Sequence, residues 1–250
     1  NASAVVVDGV RPAFTAGATT GGTKSLVLSL GEAVSGAPEA GDFAVTVNDV
    51  ANAVTAVSLA GNGLSITLTL TNFVTNSSTV AVAYTANSDA SKQLSDASGN
   101  TVASNSSLSS ITVTNDTNAP TVSSVSSNTA DGTYKIGDVI AIAVELSEVV
   151  TVTGTPQLTL ETGTTDRTAD YASGSGTNTL VFNYTVQSGD ATSDLAYTGS
   201  SSLALNGGTI LDNANNSATL TLPTVGGTGS LSNASAVVVD GVRPAFTAGA

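Results

Sequence analysis

The sequence predicts an all-β protein made of two sandwich domains in tandem, and three observations predict it. Apolar and polar residues alternate in short runs bounded by clusters of Gly, Asn, Asp and Ser, and no stretch sustains a helical period. The 250 residues suffice for two domains of ordinary size, each with its own core. The sequence also repeats itself at two scales. Residues 1–18, NASAVVVDGVRPAFTAGA, recur unchanged as residues 233–250, a period of 232. Within it, Leu30-Gly31-Glu32-Ala33-Val34 is similar to Leu146-Ser147-Glu148-Val149-Val150 at an offset of 116. Asp96-Ala97-Ser98-Gly99-Asn100 is similar to Asp212-Asn213-Ala214-Asn215-Asn216 at the same offset. One period therefore holds two related domains.

Taken in order, residues 1–11 read as the last strand and linker of a preceding repeat. In the first domain, residues 12–115, seven strands are predicted at about 12–18, 24–30, 43–48, 53–59, 64–71, 79–86 and 109–115. Ala60-Gly61-Asn62-Gly63 supplies a tight hairpin between the fourth and fifth. Seven short strands in about 100 residues is the count of an immunoglobulin-like β-sandwich, here without the disulfide or core Trp of antibody domains. Residues 116–119 form a linker. In the second domain, residues 120–239, the segments 138–146, 178–186, 218–222 and 236–239 alternate in the same way, with a less regular middle. Residues 240–250 open a further repeat. An odd number of antiparallel strands sets the two chain ends at opposite poles, so successive domains are expected to stack end to end. Borders are marked by Asp8-Gly9-Val10-Arg11-Pro12, Asp116-Thr117-Asn118-Ala119-Pro120 and Asp240-Gly241-Val242-Arg243-Pro244, where proline fixes the entry of the next strand.

Composition removes most chemistry. With no His, Cys, Met or Trp, the chain cannot form a Ser-His-Asp triad, a cysteine nucleophile, a His/Cys zinc site or haem ligation. Aromatic residues make up only 4%, which leaves little surface for stacking sugars in a glycosidase cleft. The chain reads as a non-enzyme. Nineteen acidic and six basic residues give a net charge of −13, which repels nucleic acid and anionic lipid and attracts cations. No apolar run approaches the roughly 20 residues that span a bilayer, and Asn1 opens no signal peptide, so the sequence reads as a segment of something longer. Unchanged copies in series serve reach and multivalency better than catalysis. The partners expected are neighbouring repeats of the same chain, with a host or surface ligand for the parent protein.

Strand parity then singles out the candidate ligands. Leu26, Leu28 and Leu30 point inward, and the next residue of that parity is Glu32; Ile142, Val144 and Leu146 lead to Glu148 in the same way. Each Glu is expected over the mouth of its sandwich, beside the linker acid and the acid of the 96–100 or 212–216 loop. Carboxylates gathered there repel one another, and six basic residues cannot serve every pole. Ca2+ resolves this, because it accepts 6–8 oxygen ligands with loose geometry. One site is predicted from Asp8, Glu32, Asp96 and Asn100, and a second from Asp116, Glu148, Asp212 and Asn216 with Asn118 as an extra ligand. The plainer alternative is that these loops are ordinary turns in which Asp caps backbone amides. Other features read as structural. Asp190 and Asp194 are solvated loop acids, Asp131 and Asp138 flank Tyr134 in a hairpin, and Glu145 faces solvent. Ser65, Thr67, Thr69 and Thr71 form the wet face of a strand, and Ser173-Gly174-Ser175-Gly176 is a turn.

Leu26 to Glu32, Asp42-Phe43-Ala44-Val45-Thr46-Val47, Val80 to Thr85 and Leu94 to Asn100 resemble the repeat named after a cyanobacterial swimming protein. Asp131 to Asp138, Val152-Thr153-Gly154-Thr155-Pro156, Gly189-Asp190 and Asn206-Gly207-Gly208-Thr209-Ile210 resemble a companion repeat. Together the halves resemble the immunoglobulin-like or cadherin-like extender repeats of giant bacterial RTX-type adhesins and biofilm-associated surface proteins. The resemblance implies a spacer on the bacterial cell surface that projects an adhesive domain, has calcium-stiffened joints and is exported unfolded by a type I system. A second function is a repeat that itself grips a glycan or protein, or self-associates, in adhesion and biofilm formation.

Overall fold

A computed structural model describes residues 8–104, 106–109 and 111–244. Residues 1–7 of the predicted strand and linker at 1–11, position 110 of the strand at 109–115, and residues 245–250 of the predicted linker and next repeat at 240–250 lie outside them. The chain divides into two compact units, Asn1–Thr117 with Asn213–Asn215, and Asn118–Asp212 with Asn216–Ala250.

The first unit contains β1 (Phe14–Thr20), β2 (Thr23–Leu30), β3 (Phe43–Val47), β4 (Val50–Ala51), β5 (Val54–Leu59), β6 (Ser65–Val74), β7 (Val80–Tyr84), β8 (Ser106–Leu108) and β9 (Thr112–Thr114). One sheet has the order β5-β6-β2-β1-β9 and the other β4-β3-β7-β8. Leu26, Leu28, Ile66 and Leu68 of the first sheet are fully buried, and Phe43, Val45, Val82 and Tyr84 of the second meet them in one core. Each fully buried aliphatic side chain contributes about 1.5–3 kcal/mol. Ser65, Thr67, Thr69 and Thr71 alternate with that core on the wetter face, as the period of two requires. All seven predicted strands have counterparts. The sequence reading missed β4 and β8, which are too short to show a period. Strand β4 folds back on β3 through Asn48 and Asp49, whose φ angles of 49° and 63° make the two-residue turn that suits strand twist. The sheets are not wholly antiparallel: β1 pairs in parallel with β9, so the chain enters and leaves the sandwich along strands of the same direction.

The second unit contains β10 (Val122–Ser127), β11 (Gly132–Lys135), β12 (Val139–Thr153), β13 (Gln157–Glu161), β14 (Arg167–Ser173), β15 (Thr177–Thr185), β16 (Ala191–Thr192), β17 (Ala196–Tyr197), β18 (Leu203–Ala204) and β19 (Thr209–Asp212). A single-turn helix, α1 (Leu231–Ala234), precedes β20 (Val237–Asp240). The large sheet runs β10-β12-β15-β14-β13-β17, with β18 on β13 and β19 on β12; the smaller runs β11-β20-β16. Their inner faces share a core that includes Ile140, Ile142, Phe182, Tyr184, Val237 and Val239.

Three expectations change here. Residues 218–222 make one isolated bridge, at Thr219, rather than a strand, because their amides go to three different segments: Ala218 to the Ile210 carbonyl, Thr219 to Pro120 and Leu222 to Ser200. Gly132–Lys135 pairs with β20 and not with β12, so Asp131 and Asp138 do not flank a hairpin. Asp138 instead closes a turn, accepting from the Lys135 amide at 3.0 Å and pairing with its Nζ at 2.7 Å. Finally, β12 does not end at Leu146. It continues past a register break between Glu145 and Val150 and transfers to β19, where buried Val150 pairs with Asp212. Among the described residues, no helix is long and apolar enough to cross a membrane.

Candidate metal centre

Glu32 lies two residues past the end of β2, half-buried, on the parity of Leu28 and Leu30. Asp96 is held by its own loop. Its backbone N–H donates to the Asn100 carbonyl at 3.0 Å, and Oδ1 accepts the amides of Ser98 and Asn100, both at 2.8 Å. Oδ2 accepts from Asn100 Nδ2 at 2.9 Å. The loop closes because Gly99 sits at φ 87°. Asp96 is only 7% exposed, so its carboxylate is both a cap for the turn and a fixed charge. Asp8 comes from the linker, where Oδ1 accepts the Val10 amide at 3.0 Å; Asp240 does the same for Val242 at 3.2 Å in the second copy of that sequence. Asn100 Nδ2 also donates to the Asp8 carbonyl at 3.1 Å, tying the linker to the loop.

This brings together Asp8, Glu32 and Asp96, each offering a carboxylate oxygen within 4.8 Å of the others. Oxygens at 2.3–2.6 Å from one calcium ion can lie about 5 Å apart, so the donor set fits a hard divalent cation. The electrostatics agree. Burial and then the charges of Asp8 and Asp96 push the Glu32 carboxyl above its ordinary range. Asp96 moves the other way, held below its ordinary value chiefly by the Asn100 side chain and then by backbone amides, against the effect of burial. Asn100 was predicted as a ligand; here its NH₂ group clamps Asp96 and the linker.

Residues 212–216 repeat the loop. Asp212, 4% exposed, donates its N–H to the Asn216 carbonyl at 3.1 Å, and Oδ1 accepts the Asn216 amide at 2.8 Å. Asn216 Nδ2 donates to Asp212 Oδ2 at 2.9 Å and to the Asn118 carbonyl at 3.1 Å. Asn215, at φ 71°, stands where the first loop has Gly99, which explains why these are the two residue types found there. Glu148 is half-buried and lies within β12 at its register break, rather than beyond a strand end as Glu32 does. Asp116 belongs to the first unit, where its backbone N–H and carbonyl bond the side-chain amide of Asn76 at 2.9 and 2.7 Å. Sequence reasoning missed Asn76, since nothing local marks an Asn that meets a linker 40 residues away.

Among the other acids, the expectation of solvated loop carboxylates fails for Asp190. It is 1% exposed and bonds Arg167 Nε at 2.9 Å, the Tyr184 hydroxyl at 2.6 Å and the Gln187 amide at 2.9 Å. A buried carboxylate needs such partners, and it gets them from its own turn at Gln187, from Tyr184 of β15 and from Arg167 of β14. Asp194 is exposed, and Glu145 is exposed and accepts from Ser124 Oγ at 3.0 Å.

Residues 5–89 match the SWM_repeat family, described as "Putative flagellar system-associated repeat". No curated protein gives a significant match. Among solved structures, the chain is similar to the N-terminal part of the bacterial S-layer protein SbsC at 14% identity and a TM-score of 0.36, over 81% of this chain and 44% of that one. It is also similar to the S-layer protein rSbsC(31-844) at 12% identity and a TM-score of 0.36, over 84% of this chain and 34% of that one. The chain thus spans less than half the length of either structure.

Proposed function

We propose that this chain is a structural extender of a large secreted surface protein, a spacer that sets an adhesive domain away from the bacterial cell, with calcium locking its joints. The observation that carries the reading is the meeting of Asp8 from the linker with Glu32 and Asp96 from the sandwich, within 4.8 Å. A cation held there ties the linker to the domain it enters, so binding energy becomes resistance to bending. By the 116-residue repeat of the sequence, Asp116, Asn118, Glu148, Asp212 and Asn216 are proposed for the same role. Extracellular modules bind calcium at about 10⁻⁴–10⁻³ M, far above cytosolic levels, so such joints stay unlocked until export. The match of residues 5–89 to a repeat family and the unchanged 232-residue period support a serial, non-catalytic role. The RTX-type parent, type I secretion and a place in biofilms are part of the same proposal.

Calorimetric titration with calcium, run alongside small-angle scattering, tests it. Saturable binding that stiffens the chain, weakened about tenfold in a Glu32→Gln and Glu148→Gln double variant, is the expected result. Absent binding at 10 mM calcium, a concentration about tenfold above the weak end of the extracellular range, would refute it.

A further inference from the structure

We propose that the slot occupied by β20 accepts the same sequence from a second copy of this chain, so that copies join by exchanging their last strand. Residues 1–8, Asn-Ala-Ser-Ala-Val-Val-Val-Asp, repeat residues 233–240 without change. Every period of an array therefore carries the same eight-residue sequence, and every second unit carries a slot that fits it.

The slot is well defined. Strand β20 lies between β11 and β16, in register from Gly132↔Val237 to Lys135↔Asp240 on one side and at Ala191↔Asp240 and Thr192↔Val239 on the other. Its inward side chains, Val237 and Val239, are 1% and 2% exposed and belong to the core of the unit. Further bonds fix its ends. Asp131 Oδ1 accepts the Ala236 amide at 2.8 Å, the Leu195 amide donates to the Val237 carbonyl at 2.8 Å, and the Gly241 amide donates to the Asp190 carbonyl at 2.7 Å.

Connectivity does little to keep this strand at home. Its parallel partner β11 is about 100 residues earlier, and no hairpin joins it to either neighbour. The segment leading to it turns at Gly226 and Gly229, both at positive φ, and is anchored by α1, whose Leu231 is fully buried. What selects the strand is its sequence, and the sequence is duplicated. An element whose sequence is shared by identical copies is the condition for domain swapping, and strand addition supplies the backbone bonds. In the intact chain the tethered strand wins by effective concentration. Exchange becomes favourable when the local strand is lost, or when many arrays fold side by side.

The test uses the full chain with Val237→Asp and Val239→Asp, which disables β20 and leaves residues 1–8 intact. Light scattering coupled to size exclusion should show concentration-dependent species of at least twice the chain mass. A synthetic peptide of residues 233–244 should return them to monomers and restore the melting transition of the second unit. Adding Val5→Asp and Val7→Asp should abolish the oligomers while leaving rescue by the peptide. A double variant that stays monomeric overturns the proposal. So do oligomers that neither the peptide nor the added substitutions disperse, since these would be nonspecific aggregates.

Discussion

Glu32→Gln separates a metal centre from a simple turn, because the two readings give opposite signs. Without divalent cations the three carboxylates within 4.8 Å only repel, and the Glu32 carboxyl is raised by burial and by Asp8 and Asp96. A carboxyl raised in the folded state contributes stability that is complete below its unfolded value and lost as pH rises through its folded value. At neutral pH, in chelator, the neutral Gln should therefore leave the first unit at least as stable as the parent. The advantage should widen as pH rises from the ordinary Glu value through the raised one. With calcium the order reverses. If the parent binds at about 10⁻³ M, 10 mM calcium adds about 1.4 kcal/mol. That is about 6 °C for a domain near 100 residues. Loss of one carboxylate ligand, at roughly tenfold in affinity, cuts the gain to about 0.4 kcal/mol. Melting curves of parent and variant in chelator and in calcium, at pH 4 and 7, read this directly. A variant less stable than the parent by the same margin in both conditions would refute the reasoning, since the Glu would then be serving packing alone.

The remaining predictions concern the scaffold. Asp190→Ala should cost the second unit about 3–5 kcal/mol by denaturant unfolding, because it strands Arg167 and the Tyr184 hydroxyl. Burial pushes Asp190 up, but the bonds from Tyr184, Arg167 and the Gln187 amide outweigh it and hold it below the ordinary value. Its stabilisation is thus present above the unfolded Asp value and lost as pH falls through the folded one, so acid melting of the parent should be steeper than that of Asp190→Asn. Gly36→Ala should destabilise the first unit by about 1–3 kcal/mol, because the new Cβ would lie 2.2 Å from the Gln93 carbonyl at φ 133°. Gly99→Asn should cost under about 1 kcal/mol and Gly99→Val clearly more, since a Cβ at Gly99 meets open space and only the φ of 87° opposes it.

What could be read in advance follows from the range of each interaction. Strands such as β2 and β6 announce themselves because Leu26, Leu28, Ile66 and Leu68 all obey the period of two. The same parity carried Glu32 to the carboxylate cluster. Where a strand is decided by a distant partner, the pattern misleads. The alternating segment at 218–222 has its amides drawn off to Ile210, Pro120 and Ser200, so no ladder forms. Strand β12 looked finished at Leu146, yet Val150 and Val152 extend it toward Ile210, which no local signal identifies. Asp190 looked like any loop acid, because Arg167 and Tyr184 meet it only after the sheet has formed.

Asn100 marks the point where the scaffold and the cation reading come apart. Its NH₂ group bonds the Asp96 carboxylate and the Asp8 carbonyl, and Asn216 repeats this with Asp212 and the Asn118 carbonyl. Each loop therefore grips the linker entering its own domain by a bond that needs no ion. Asn100→Ala should remove that grip at about 1–2 kcal/mol in chelator and in calcium alike, for two lost hydrogen bonds of which one is to a charge. Asn100→Asp replaces the same bonds with a further negative charge, so in chelator it should be worse than Ala. In calcium it should recover past Ala, because the new carboxylate gains a cation to face. If Asp and Ala variants keep the same order in both conditions, the charge at this position meets no metal, and the clamp is the whole function of the loop.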